Sequence, residues 1–270
     1  MHVVQWGFRD GCGYSLRPRQ GERDMILRHH VSTRAWIGGV VVVIALMAAA
    51  SVASAGQESA AQTIRFSKAR ILFELNATAQ DAGIQALLDG EGWDNVQVFS
   101  PDGELLLDIE ADGSVGDIGV TELFFESAEP SLADLPLDEL FAMFPEGRYR
   151  FAGTTVEGQR LVGSATLSHD IPAEPNVVAP AEGGVVDPAN TVIEWEPVTE
   201  PAGIEIAGYQ VIVELEEPLR VFSVDLPASD TSVTVPAEFL EPGTDYKFEV
   251  LAVADNANQT IHEGTFSTAG

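Results

Sequence analysis

Histidine and cysteine are few in this chain, and their spacing is poor for catalysis. Beyond residue 55 there are two histidines, His169 and His262, while the single cysteine, Cys12, lies upstream of an apolar run. A nucleophilic serine needs a base within hydrogen-bond reach and a third group to orient that base. Ser168-His169-Asp170 brings the three types together only in sequence, and neighbours on a strand point to opposite faces. A histidine at a strand end is the simpler account. Acidic pairs of the kind that cleave glycosidic bonds abound among 42 Asp+Glu, so their presence carries no information. Such enzymes also need an aromatic-lined cleft.

Two patterns point towards binding. Asp108, Glu110, Asp112 and Gly113 imitate the first half of a calcium loop, but the position where such a loop closes with a bidentate Glu is Gly119. A turn with solvated acids is expected there. Trp93, within Gly90-Glu91-Gly92-Trp93-Asp94-Asn95, reads as a loop tryptophan that either stacks on a sugar ring or caps the end of a β unit; Tyr149 is its companion in the glycan reading. Asn76-Ala77-Thr78 and Asn258-Gln259-Thr260 match the glycosylation triplet, which matters only in a host with that machinery. No catalytic residue, cofactor site or metal site is expected.

Charge narrows the partners. The formal net charge is -28, and it is uneven. Residues 1–55 hold six of the 14 Lys+Arg and three of the 42 Asp+Glu, leaving a body with 8 basic and 39 acidic residues and a net charge of -31. Binding a phosphate backbone or an anionic membrane needs Lys and Arg to displace condensed counterions, so nucleic acid is rejected as a partner. With no cysteine after residue 55, that body has no disulfide and no thiolate chemistry, and its core alone must hold it.

Residues 36–50 are uncharged and mostly apolar, preceded by Arg28 and Arg34 and followed by Ala53-Ser54-Ala55. Basic flank, apolar run and small-x-small end are the parts of a secretory signal peptide, with cleavage expected before Gly56. The competing reading is an uncleaved single-span anchor, for which the run is short of the ~20 residues a crossing needs. Met25 offers an alternative start. Either way the body is expected outside the cytoplasm, secreted or periplasmic.

The body reads as strands. After a flexible leader over 56–62, alternation places Ile71, Phe73 and Leu75 on one face, then Ile84, Ala86 and Leu88. Val96 and Val98 lead into Pro101-Asp102-Gly103, and Leu105, Leu107 and Ile109 return as a hairpin. Further strands are expected over 120–126, 148–156 and 159–168. Leu137, Leu140, Phe141 and Phe144 have helical spacing after Pro136, predicting a short helix that plugs a sandwich end. Ile171-Pro172-Ala173-Glu174-Pro175 reads as a stiff linker.

Seven strands are expected over 177–179, 191–196, 206–214, 219–225, 231–235, 244–254 and 260–267, the count of a seven-strand sandwich. Particular residues go further. Thr191-Val192-Ile193-Glu194-Trp195-Glu196-Pro197-Val198, Gly208-Tyr209-Gln210-Val211-Ile212-Val213-Glu214, and Leu240-Glu241-Pro242-Gly243-Thr244-Asp245-Tyr246-Lys247-Phe248-Glu249-Val250 resemble the second strand, the third strand and the corner entering the sixth strand of a fibronectin type III domain. The resemblance implies Trp195 in the core and a Tyr246 hydroxyl returned to upstream backbone. It also implies recognition through loops at one end, here 197–205 and 255–259.

The expected fold is all-β, with two tandem β-sandwich domains. The first, of unrecognised family and carrying one short helix, spans 63–170; the linker is 171–175; the immunoglobulin-like fibronectin type III domain spans 176–268. The expected function is a secreted or periplasmic, non-enzymatic interaction, adhesion or scaffold protein with an extracellular protein or glycan partner, and a membrane association only if the apolar segment stays uncleaved. The alternative is a carbohydrate-binding accessory module.

Overall fold

A computed structural model describes residues 62–270. The expected signal segment and most of the expected leader lie outside the described residues. Among the described residues, no helix is long and apolar enough to cross a membrane.

The first unit contains β1 (Thr63–Arg65), β2 (Lys68–Asn76), β3 (Asp81–Phe99), β4 (Leu105–Glu110), α1 (Gly113–Ile118), β5 (Val120–Glu126), α2 (Leu137–Met143), β6 (Gly147–Thr155) and β7 (Arg160–Leu167). Its organising element is β3. The early half of this strand pairs with β2 on one side and β5 on the other, from Leu72↔Gln85 and Gln85↔Glu126; the late half pairs with β4 and β6, from Val96↔Ile109 and Val98↔Phe151. One long strand thus carries two limbs that face each other across a shared core. Ile71, Phe73, Ile84, Ala86 and Leu88 from one limb meet Val96, Val98, Tyr149, Phe151 and Leu161 from the other.

This geometry overturns the loop expected at 90–95. Gly90 and Gly92 are not breakers but points of close approach within β3. A side chain at Gly90 would meet the Phe66 ring at 3.1 Å, and one at Gly92 would meet the Ile118 carbonyl oxygen at 3.4 Å. Trp93 follows the bend into the core and is 1% exposed. The hairpin at Pro101-Asp102-Gly103 stands as expected, closed by the Ser100 hydroxyl on Asp102 and with Gly103 at φ 96. The helix expected near residue 140 is α2; Phe141 meets Phe73 edge-on at 5.1 Å and Leu140 is buried. The sequence reading missed α1, a six-residue turn of helix with no buried residue.

The second unit contains β8 (Val177–Ala179), β9 (Gly184–Val186), β10 (Val192–Trp195), β11 (Ile206–Leu215), β12 (Arg220–Pro227), β13 (Ser232–Thr234), β14 (Asp245–Ala254) and β15 (Gln259–Thr268). Strands β13-β10-β8 form one sheet, and β12-β11-β14-β15 the facing one. Period-2 alternation in β11 and β14 drives Tyr209, Val211, Val213, Tyr246, Phe248 and Val250 inward, onto Ile193 and Trp195 of the other layer. Trp195 is 2% exposed and its ring lies 5.2 Å from that of Tyr209. The Tyr246 hydroxyl accepts the Glu241 backbone N–H at 2.7 Å, which fixes the corner before β14. Both rings sit where the resemblance implies.

The two units share a sheet. Strand β15 pairs in parallel with β2, in the register Gln259↔Glu74, Thr260↔Leu75 and Ile261↔Asn76. The larger sheet therefore runs β1-β7-β6-β3-β2-β15-β14-β11-β12 without a break. Residues 171–175 do not form a free arm. They lie clasped along the junction, with the Thr260 hydroxyl donating to the Pro172 carbonyl at 2.6 Å, the Ala173 N–H donating to the Glu200 carbonyl at 2.8 Å, and Glu174 contacting His262 at 2.7 Å.

Candidate functional site

The residues singled out for chemistry are spread through the structure and mostly serve packing. His169 stacks on Phe141 at 4.2 Å and its Nε2 lies 2.9 Å from the Phe144 carbonyl oxygen. Its backbone N–H donates to Glu146, which also takes the Ser168 hydroxyl at 3.3 Å. These contacts, chiefly the His169 amide, hold the Glu146 carboxyl below its ordinary range. Serine and histidine are thus each tied to other groups. Tyr149 is fully buried, and its hydroxyl donates to the Pro145 carbonyl at 3.0 Å. Burial pushes that hydroxyl up to about 12, with Asp102 adding to the shift. Trp93 and Tyr149 belong to one hydrophobic core. Neither ring is available to a sugar, so the glycan platform built on them fails. Asp108 receives the Asn95 and Gln97 side-chain amides at 3.1 and 3.0 Å from the neighbouring strand. Asp108 and Glu110 are strand residues of β4, not parts of a loop wrapped around an ion.

Of the two loops expected to recognise partners, one is engaged by the first unit. Residues 255–258 form the tight turn between β14 and β15, and this turn fastens the second unit to the first. Asn258 is fully buried. Its Oδ1 accepts the Phe73 N–H at 2.9 Å, and its Nδ2 donates to the Ser168 and Asp170 carbonyls at 2.8 and 2.9 Å. Asn256 adds a second bond to Asp170, at 2.8 Å. A residue so enclosed cannot take a glycan, which removes the triplet at 258–260. Loop 197–205 abuts the same seam through Glu200 and Glu205, whose carbonyls accept the Ala173 and Asp255 amides. The turn after β14 is thus taken up by the first unit, whereas most residues of 197–205 stay exposed.

What the seam does gather is carboxylates. Side chains of directly paired residues share a face, so the register places Glu126 (β5), Gln85 (β3), Glu74 (β2), Gln259 and Glu263 (β15), Glu249 and Lys247 (β14), and Glu214 (β11) on one continuous outer face. The segment after β5 crosses this face. It passes so close that a side chain at Gly83 would meet Ser127 Oγ at 2.8 Å and Glu129 Cγ at 2.9 Å. Oxygens of Glu74, Glu126 and Glu129 all lie within 4.8 Å of one another. Gln259 donates to Glu74 across the seam, and Gln85 donates to Glu126 at 2.8 Å. The two amides therefore turn N–H groups, not further oxygens, towards the acids. The arrangement is three close carboxylates with an amide N–H on Glu74 and another on Glu126.

Energetics agree with that description. Glu74 is 4% exposed, and burial pushes its carboxyl up to about 8; the Gln259 bond opposes the shift, and Glu129 and Glu126 reinforce it. Half-buried Glu249 is raised to about 7 by burial and then by Glu214, Glu263 and Glu129, against Lys247. The sequence reading passed over these acids as solvated surface. A signal was present in the unbroken apolar runs Ile71-Leu72-Phe73 and Val250-Leu251-Ala252 beside them. Such runs mark strands covered on both faces, so an acid at the next alternate position is under cover too.

Residues 183–267 match the family profile described as Fibronectin type III domain. With Trp195 and Tyr246 in the interior of its two layers, the C-terminal unit is a fibronectin type III domain. Similar solved structures include the chicken CNTN1 FN1-FN3 domains, at 15% identity and TM-score 0.32, covering 78% of this chain and 66% of that one. A two-domain fibronectin type III segment from chicken tenascin has 12% identity and TM-score 0.28, covering 77% of this chain and 99% of that one. The fn3 domain of the human collagen alpha-1(XX) chain has 22% identity and TM-score 0.27, covering 36% and 83%. This chain thus spans just under two thirds of the CNTN1 structure. No curated protein matches the chain.

Proposed function

We propose that this chain is an exported, non-enzymatic interaction or scaffold protein, in which the fibronectin type III domain and the preceding β unit act as a single carrier. The observation that carries the reading is the fibronectin type III domain itself, a scaffold that hosts recognition and not, by its architecture, a reaction cleft. The order of a basic flank, an apolar run and Ala53-Ser54-Ala55 supports export. The division into a unit over 63–170 and a domain over 176–268 belongs to this reading. Its partner is an extracellular protein, and the acidity of the body favours one with a basic surface over any anionic polymer.

Cells expressing the full chain and fractionated by compartment test the proposal. The expected result is a mature protein outside the cytoplasm with Gly56 at its N-terminus, binding an extracellular partner saturably and weakening as salt rises. A body retained in the cytoplasm would overturn it. So would turnover of a substrate that is lost on replacing one Glu or His.

A further inference from the structure

We propose that the seam between the first β unit and the fibronectin type III domain is a proton-sensitive latch, closed while Glu74 and Glu249 hold protons and loosened when every carboxyl on the shared face is ionised. The latch is independent of what the protein binds. It rests first on placement. Glu74 is buried at the register position where β2 meets β15, and its hydrogen bond runs to Gln259 on the other side of the junction. Only a short parallel ladder joins the two strands. The Ala77 N–H to the Ile261 carbonyl at 3.0 Å and the Glu263 N–H to the Thr78 hydroxyl at 2.9 Å extend it. Charge placed inside so short a ladder acts on the whole of it.

Acids crowd both titrating groups: Glu129 and Glu126 act on Glu74, and Glu214, Glu263 and Glu129 act on Glu249. Glu126 comes from the end of β5 and Glu129 from the segment that crosses the face; Asp81 heads β3, Glu263 lies on β15, Glu249 on β14, and Glu214 beyond it on β11. The bases on this face are Lys68 and Arg70, further along β2, and Lys247, which is already held by Glu216. Glu74 is the buried member of this cluster and Glu126 is exposed; a like charge beside a buried carboxyl acts on it more strongly than on a wet one, because the effective dielectric is lower there.

The sign follows from proton linkage. The folded seam keeps protons on Glu249 up to about 7 and on Glu74 up to about 8, whereas an unfolded or opened chain releases them near 4.5. The folded state binds more protons throughout that window, so the seam is strongest below about 4.5 and weakens as pH climbs through 7 and then 8.

Hydrogen exchange by mass spectrometry on the full chain, at pH 5 and pH 9 with intrinsic rates corrected, reads the latch directly. Peptides carrying the Phe73, Ala77 and Glu263 amides report the seam; peptides across Val211 and Val213 report the interior of the fibronectin type III domain. The expected result is a fall in seam protection of at least roughly tenfold from pH 5 to pH 9, the equivalent of one unit of differential proton affinity. The protection of Val211 and Val213 should fall by less. In the Glu74→Gln/Glu249→Gln double variant, where neutral amides replace neutral acids of the same shape, seam protection should persist at pH 9. Seam protection in the native chain that is equal at both pH values would overturn the proposal. An equal loss in the double variant would do the same, since the titrating group would then lie elsewhere.

Discussion

Replacing Trp195 by Ala is expected to destabilise the fibronectin type III domain by ~3–5 kcal/mol, the range for emptying a buried aromatic site. The ring is 2% exposed and lies between the two layers, against Tyr209. A whole domain has only about 5–15 kcal/mol in reserve, and this one has no disulfide to lean on. Urea unfolding of the variant checks the size of the loss. Trp195→Phe separates its causes. The indole N–H is buried with no hydrogen-bond partner among the described residues, so phenylalanine gives up volume but no polar contact. It should therefore cost clearly less than alanine.

Asn258→Ala is expected to cost about 3 kcal/mol or more, because each buried polar group left without a partner costs roughly 1–3 kcal/mol. The substitution orphans the Phe73 N–H and the Ser168 carbonyl; the Asp170 carbonyl keeps its bond from Asn256. The damage falls on the junction and leaves both hydrophobic cores intact. Unfolding should consequently lose cooperativity as well as stability, with the two units melting in separate steps where the native chain melts in one. Differential scanning calorimetry of the variant beside the native chain measures both effects. Asn258→Asp is a sharper probe, since it keeps the acceptor for Phe73 and turns an oxygen on the two carbonyls.

The fibronectin type III domain was legible because its signals are local. Trp195 at the end of an alternating strand, and Pro242-Gly243 shortly before Tyr246, state a core residue and a corner within a few positions of one another. Alternation likewise marked β2, β5, β6 and β7 in the first unit. Strands β1 and β9 were missed because each is three residues long and is held by parallel pairing to β7 or β15, contacts that short segments do not advertise. Glycines misled at 90 and 92, where close packing looked like a turn. The seam left no local trace. Asn258 reads as a polar turn residue until Phe73 is brought beside it from the other unit, and Glu74 reads as surface until β15 pairs beside it and the segment after β5 crosses its face. Tertiary contact turned an apparent binding loop into a fastening and brought ordinary acids within 4.8 Å of one another.

Strands β2 and β15 join the two units into one body. Residual dipolar couplings measured on the full chain at pH 5 test it most directly. Amides of β6 and β7 and amides of β11 and β14 should fit a single alignment tensor of common magnitude and orientation. Two tensors of different magnitude, as independent domains on a flexible arm produce, would contradict it.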